Sequence, residues 1–235
     1  MNTLTRVLII IFVDLFLFKF VGIWAGLIGL GIIIYRILPI LNISKQSILI
    51  QNGSFNSGMA FLKDYQGPFY KNKVAFQEAA NLIRTFELKD WVIIGIYYDK
   101  PGDVQDSKLR YSIGIFKKNT NGKEDPPERL EMYCNSKSYY FADLPNTKSL
   151  TSEWNYTNAF TMMIGITKFN MKLKKELKND EFKKLNGIKD GDCKIVIELY
   201  ETESNIKFYI PLEKADNFSL YRKDKYNIFT RFKLI

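Results

Sequence analysis

The chain has 235 residues, 46% of them apolar and 15% aromatic, and a formal charge of +9 from 34 basic and 25 acidic side chains. That length suits an anchor plus one compact domain. Histidine is absent and the two cysteines are Cys134 and Cys193. This excludes histidine general-base catalysis and histidine-ligated zinc; the two cysteines could pair, but their spacing suggests no disulfide framework, and two free thiols are expected. No metal or cofactor is expected. The basic residues are interspersed with acids, so a solvated surface is expected and nucleic acid is not an expected partner.

The first forty residues form a region of their own. From Val7 to Ile43 only Asp14, Lys19 and Arg36 interrupt an apolar run. A helix crosses the hydrocarbon with about 20 such residues, so one crossing is expected within Leu8–Leu41, with Lys19 snorkelling. A re-entrant hairpin kinked around Gly22–Gly31 is the minority reading. The run is too long for a cleaved leader, so a retained anchor is expected. Arg36 and Lys45 follow the span against Arg6 before it, which places the large domain on the cytosolic side. Four Asn-x-Ser/Thr sequons, at Asn42, Asn52, Asn155 and Asn217, would stay unmodified there.

Three regions result: an anchor over 1–45, a domain over 46–213 and a basic tail over 214–235. In chain order, "SILIQNG" reads as a strand closed by an Asn52-Gly53 turn. "GMAFLKDY" is a strand ending at Gly67-Pro68. Ala75, Ala79, Leu82, Ile83 and Phe86 recur at helical spacing across Lys73–Phe86. "WVIIGIYY" and "LRYSIGIF" are paired strands around the loop that holds Asp99, Pro101 and Gly102. "KKNTNGKEDPPERL" reads as a loop. Strands follow in "YYFADLP" and "LTSEW". A helix is expected over Tyr156–Leu177, with Phe160, Met163, Ile164 and Met171 on one face. "CKIVIELY" and "IKFYIPL" form the last hairpin. The order strand, helix, strand, strand occurs twice. It predicts an α+β fold: an antiparallel sheet with two helices on one face and the other face exposed.

"YQGPFY", "WVIIGIYYDKPGDVQDSKLR" and "IELYETESNIKFYIPL" resemble the Gly-Pro-aromatic entry, the signature loop and the closing hairpin of the gyrase-inhibitor-like (GyrI-like) domain. The resemblance runs from about Ile48 to Leu212. It implies two β-α-β-β repeats. With an anchor in front, and "SEWNYTNAF" before the second helix, the chain resembles the membrane-anchored members that act as receptors in selective autophagy of the endoplasmic reticulum.

The family-motif loop comprises Tyr97, Tyr98, Asp99, Pro101, Lys108 and Arg110. Asp99 is expected to accept backbone hydrogen bonds, with Pro101 presetting a turn and Gly102 easing it. The resemblance also implies a ligand groove between the repeats. Its candidate residues here are Trp91, Tyr97, Trp154, Glu198, Lys207 and Tyr209. The family's groove carboxylate maps onto Lys207, a reversal of charge, while Glu198 is expected to balance a lysine or face solvent. Without that carboxylate no catalytic residue is expected. The expected function is a membrane-bound adaptor whose partners are proteins, autophagy modifiers among them. Short aromatic-x-x-aliphatic matches stand at Phe141–Leu144 and Phe232–Ile235. An anchored small-molecule-binding or esterase-like pocket is the alternative.

Overall fold

The structure is a computed structural model. It describes residues 45–118, 125–189, 193, 195–202, 204–213, 215–218 and 220, together with 19, 21–23, 25, 27 and 28. The chain divides into two units, Met1–Ser47 and Ile48–Ile235. In the first, residues 19, 21–23, 25, 27 and 28 are helical, and Val21, Ile23, Leu27 and Ile28 are between 53% and 62% exposed. Among the described residues no helix is long and apolar enough to cross a membrane. Most of the span expected within Leu8–Leu41 lies outside them.

The second unit contains β1 (Gln51–Phe55), β2 (Gly58–Gln66), α1 (Lys73–Thr85), β3 (Trp91–Tyr97), β4 (Arg110–Lys118), α2 (Glu128–Ser136), β5 (Tyr140–Leu144), β6 (Thr147–Asn155), α3 (Ala159–Glu176), α4 (Asp180–Asn186), β7 (Val196–Thr202) and β8 (Asn205–Pro211). All eight strands share one sheet in the order β1-β6-β8-β7-β3-β4-β2-β5. Every pairing is antiparallel. The units β2-α1-β3-β4 and β6-α3-β7-β8 are the two expected repeats. They meet at the β3–β7 pair, so that pair forms the centre of the sheet.

Two short links bend this sheet. β1 lies at one edge and β2 beside the other, yet only Asn56 and Ser57 join them. Pro145 and Asn146 likewise join β5 at the far edge to β6 beside the first. Two residues span about 10 Å between their flanking neighbours, so the two edges must curl toward each other. Phe55 of β1 accordingly reaches Phe116 of β4 at a ring separation of 5.4 Å and Tyr209 of β8 at 5.3 Å.

The curl corrects one expectation. The sheet face away from the helices is not exposed but encloses a second core. Phe55, Leu62, Ile94, Ile96, Phe116, Ile197, Leu199 and Tyr209 fill it. Phe218, fully buried, and Leu220 pack there too, so the domain continues past the boundary expected at 213. The first core lies under the helices, where Ala75, Ala79 and Leu82 of α1 and Leu130 and Cys134 of α2 meet Phe61, Ile113 and Ile115.

Three further expectations change. Asn52-Gly53 is not a turn. Both residues lie inside β1, where Gly53 stands opposite Ser149, and a Cβ on it would come 2.7 Å from Thr151. The stretch expected to be loop ends in α2, which buries only Leu130 and Cys134 and so carries little apolar periodicity. α4 is a helix with no expected counterpart; it is seven residues long, capped by the Asn179 side chain and stopped by Gly187 at φ 65°. α3 has two apolar stripes. It buries Thr161, Gly165, Phe169 and Leu173, while Phe160, Met163 and Met171 are 60–68% exposed. The apolar face picked out by the sequence is thus the outer one, with Ile164 half-buried at its margin.

Candidate functional site

The helices stand on one face of the sheet. α1 rests on β3 and β4, and α3 rests on β6, with Phe169 stacked on Phe208 of β8 at 4.1 Å. β7 runs between these two supports. Alternation along β7 directs Val196, Glu198 and Tyr200 to the helix side and Ile197 and Leu199 into the second core. Glu198 thus occupies the middle of the sheet, opposite Gly95 on β3 and Phe208 on β8.

Glu198 is 5% exposed. Its Oε2 accepts the Tyr200 hydroxyl at 2.8 Å, and Tyr97 donates a second hydrogen bond. Burial disfavours the ionised form and outweighs both donors, so the carboxyl is pushed up to about 7. The phenols of Tyr97 and Tyr200 are held far above their ordinary value, first by burial and then by the facing Glu198 charge.

Gly95 contributes to this arrangement by lacking a side chain. A Cβ there would stand 3.1 Å from the Tyr97 ring and 3.3 Å from its hydroxyl. The missing carbon leaves Tyr97 room to lean toward Glu198. Phe76 of α1 packs on the helix side of β7, meeting the Tyr200 ring edge-on at 5.0 Å. The site is therefore one buried carboxyl group held by two phenols, with aromatic packing on one of them.

Of the six groove candidates, the structure brings together Tyr97 and Glu198. Trp91 lies in the first core, stacked on Phe61 at 6.0 Å. Trp154 lies beneath α3, its indole N–H donating to the Thr161 carbonyl at 3.0 Å. Lys207 and Tyr209 belong to the opposite face of β8. Tyr209 packs in the second core, and Lys207 pairs with Glu201. Two expectations are thereby corrected. Lys207 does not occupy the centre of the groove, and Glu198 neither balances a lysine nor faces solvent. Tyr200, Phe76 and Gly95 are site residues that sequence reasoning passes over. Glu198 and Tyr200 stand two apart on one strand, and that spacing is the signal by which both could be found.

The motif loop behaves as a structural clasp. Asp99 accepts the Arg110 backbone N–H at 2.8 Å and its guanidinium in two contacts, at 2.8 Å to Oδ2 and 2.7 Å to Oδ1. Those bonds hold its carboxyl below the usual carboxylate range. Gly102 sits at φ 94°, a conformation that glycine adopts readily. Lys108 is exposed in a short 3-10 turn, and Tyr98 points away from Tyr97 to bond Ser112 at 2.9 Å.

Leu144 is buried and Phe141 packs on Phe61 at 5.6 Å, so this match lies within β5, paired to β2, and not in a detached peptide. Phe232–Ile235 lies outside the described residues. A separate cleft of about 260 Å³ between α1, α2 and β2 is lined by Lys63, Glu78, Tyr133 and Tyr139. Its Lys63 is paired with Glu78 at 2.9 Å.

No family model and no curated protein matches the chain. Among solved structures, the C-terminal domain of EcmrR is similar at 11% identity and a TM-score of 0.43, covering 72% of this chain and 99% of that one. SAV2435 bound to tetraphenylphosphonium is similar at 12% identity and a TM-score of 0.44, covering 72% and 96%. A putative transcription regulation protein from Staphylococcus aureus is similar at 12% identity and a TM-score of 0.41, covering 70% and 97%. At scores below 0.5 these likenesses carry no weight for the function of this chain.

Proposed function

We propose that the domain binds a small apolar cation at Glu198 and that the segment within residues 8–41 holds it at a membrane. The observation that carries the binding reading is a carboxyl group buried at the centre of the sheet and hydrogen-bonded by phenols. A buried carboxylate is costly unless a positive charge faces it. Among the described residues the hydrogen-bond partners of Glu198, Tyr97 and Tyr200, are neutral. A cation entering beneath Phe76 would supply the missing charge and meet the faces of Phe76, Tyr97 and Tyr200.

The chemistry favours binding over reaction. Tyr97 and Tyr200 remain protonated near neutral pH because burial and Glu198 raise both. They act as donors and not as nucleophiles. The adaptor reading has less to rest on, because Phe141 and Leu144 are committed to packing.

Tetraphenylphosphonium is a suitable probe. Calorimetric titration of the full chain in detergent is expected to show saturable binding at pH 8. Affinity should fall by about tenfold or more in Glu198→Gln, since one facing charge pair in a desolvated site is worth more than about 1.4 kcal/mol. Equal affinity in the two proteins would refute the assignment. The bound cation favours the ionised carboxyl, so binding also releases a proton below pH 7.

A further inference from the structure

Among the described residues the outer face of α3 takes no part in the core, yet it carries large apolar side chains. Phe160, Met163 and Met171 are 60%, 62% and 68% exposed, and Leu185 of α4 is 79% exposed. At 3.6 residues per turn, positions 160, 163, 167, 171 and 174 fall on one side of α3. That side faces away from the buried Thr161, Gly165, Phe169 and Leu173. Single exposed apolar residues are ordinary, but a stripe of them along one helix marks a contact surface.

Charge identifies the contact. Residues 159–189 contain eight lysines against Glu176, Asp180 and Glu181, a net +5 out of the chain's +9. Lys174 and Lys175 near the end of α3, Lys178 just beyond it and Lys184 of α4 are exposed. Basic residues flanking a Phe/Met/Leu face on a helix suit the headgroup level of an anionic bilayer. Val21, Ile23, Leu27 and Ile28 of the first unit also expose apolar side chains. Embedding them in lipid would tether the second unit close to that surface.

We propose that the outer face of α3, with Leu185 and the lysines of α4, docks on an anionic membrane surface. This rests on the membrane-anchor reading and is independent of the site at Glu198. The test uses the full chain with Met163→Cys, labelled with a polarity-sensitive fluorophore and reconstituted in vesicles. Cys134 and Cys193 are buried, and burial pushes the Cys134 thiol up to about 12, so the added thiol labels selectively.

In vesicles containing phosphatidylserine the emission is expected to shift to shorter wavelength and to be quenched by bilayer-resident quenchers. Reversal of Lys174, Lys175 and Lys178 to glutamate should lower the ratio of docked to free domain on the order of a hundredfold. A label that stays in water in those vesicles, with the chain retained in the vesicle pellet, overturns the docking and leaves the anchor standing. Release of the chain from the pellet by alkaline wash overturns the anchor and the docking with it. Burial of the label that tracks protein density and not phosphatidylserine content assigns the stripe to a second copy and also overturns the proposal.

Discussion

Glu198→Gln is expected to stabilise the domain at pH 8, by about 3 kcal/mol, and to leave it nearly unchanged at pH 4. The direction of the pKa shift sets the sign. In the unfolded chain this carboxyl loses its proton near 4.5; in the fold it holds the proton up to about 7. Between those values the folded state binds more protons, so stability falls as pH rises. At about 1.36 kcal/mol per pH unit, that window amounts to about 3 kcal/mol. Glutamine keeps an acceptor for Tyr97 and Tyr200 but never carries the charge. Thermal unfolding between pH 4 and pH 8 checks this. The native protein should lose several degrees across the window in excess of the variant. A variant less stable than the native protein at pH 8 would mean that the ionised carboxylate is already compensated in the fold.

The second large effect is expected at Gly165. This residue lets α3 approach β6 closely enough to bury Trp154, which is 1% exposed. An added Cβ would stand 2.2 Å from Trp154 Cδ1 and 2.4 Å from Nε1. The indole cannot swing aside, because its N–H is bonded to Thr161 and its neighbours are core. The helix must therefore lift, which strains Phe169 on Phe208. Gly165→Ala is expected to cost about 3 kcal/mol, at the upper end of overpacking effects. For a domain of this size that lowers Tm by about 6–12 °C. Thr167→Ala, on the exposed side of the same helix, controls for helix propensity. A Gly165→Ala protein that melts with the native one would show that α3 does not sit on Trp154 as described.

Much of the fold is legible in the sequence because its signals are local. Ala75, Ala79 and Leu82 mark one helix by their spacing, and the apolar strands around the Asp99–Arg110 clasp mark a hairpin. The features that escape a sequence reading depend on distant parts of the chain. Nothing in "QNGSF" shows that Gly53 will oppose Ser149, so its Asn-Gly pair looks like a turn. Phe160, Met163 and Met171 match a buried helical face as well as Gly165, Phe169 and Leu173 do, and only contact with Trp154 and Phe208 decides between them. The candidate site is half visible for the same reason. Tyr97 stands in a recognisable motif. Lys207 is reached by counting along β8, and a one-residue difference in register moves a side chain to the other face of a sheet. The neighbour that fixes Glu198 in place, Gly95, lies 103 positions away from it in the sequence.

The central claim is that an uncompensated carboxyl group occupies the middle of the sheet. A carbon-13 NMR titration of the Glu198 carboxyl, assigned with the Glu198→Gln variant and repeated with tetraphenylphosphonium, measures this at the atom concerned. A midpoint near 7 is expected in the free protein, and a clearly lower one with the cation bound. A midpoint in the ordinary carboxylate range of about 4.3, unmoved by the cation, would contradict the claim.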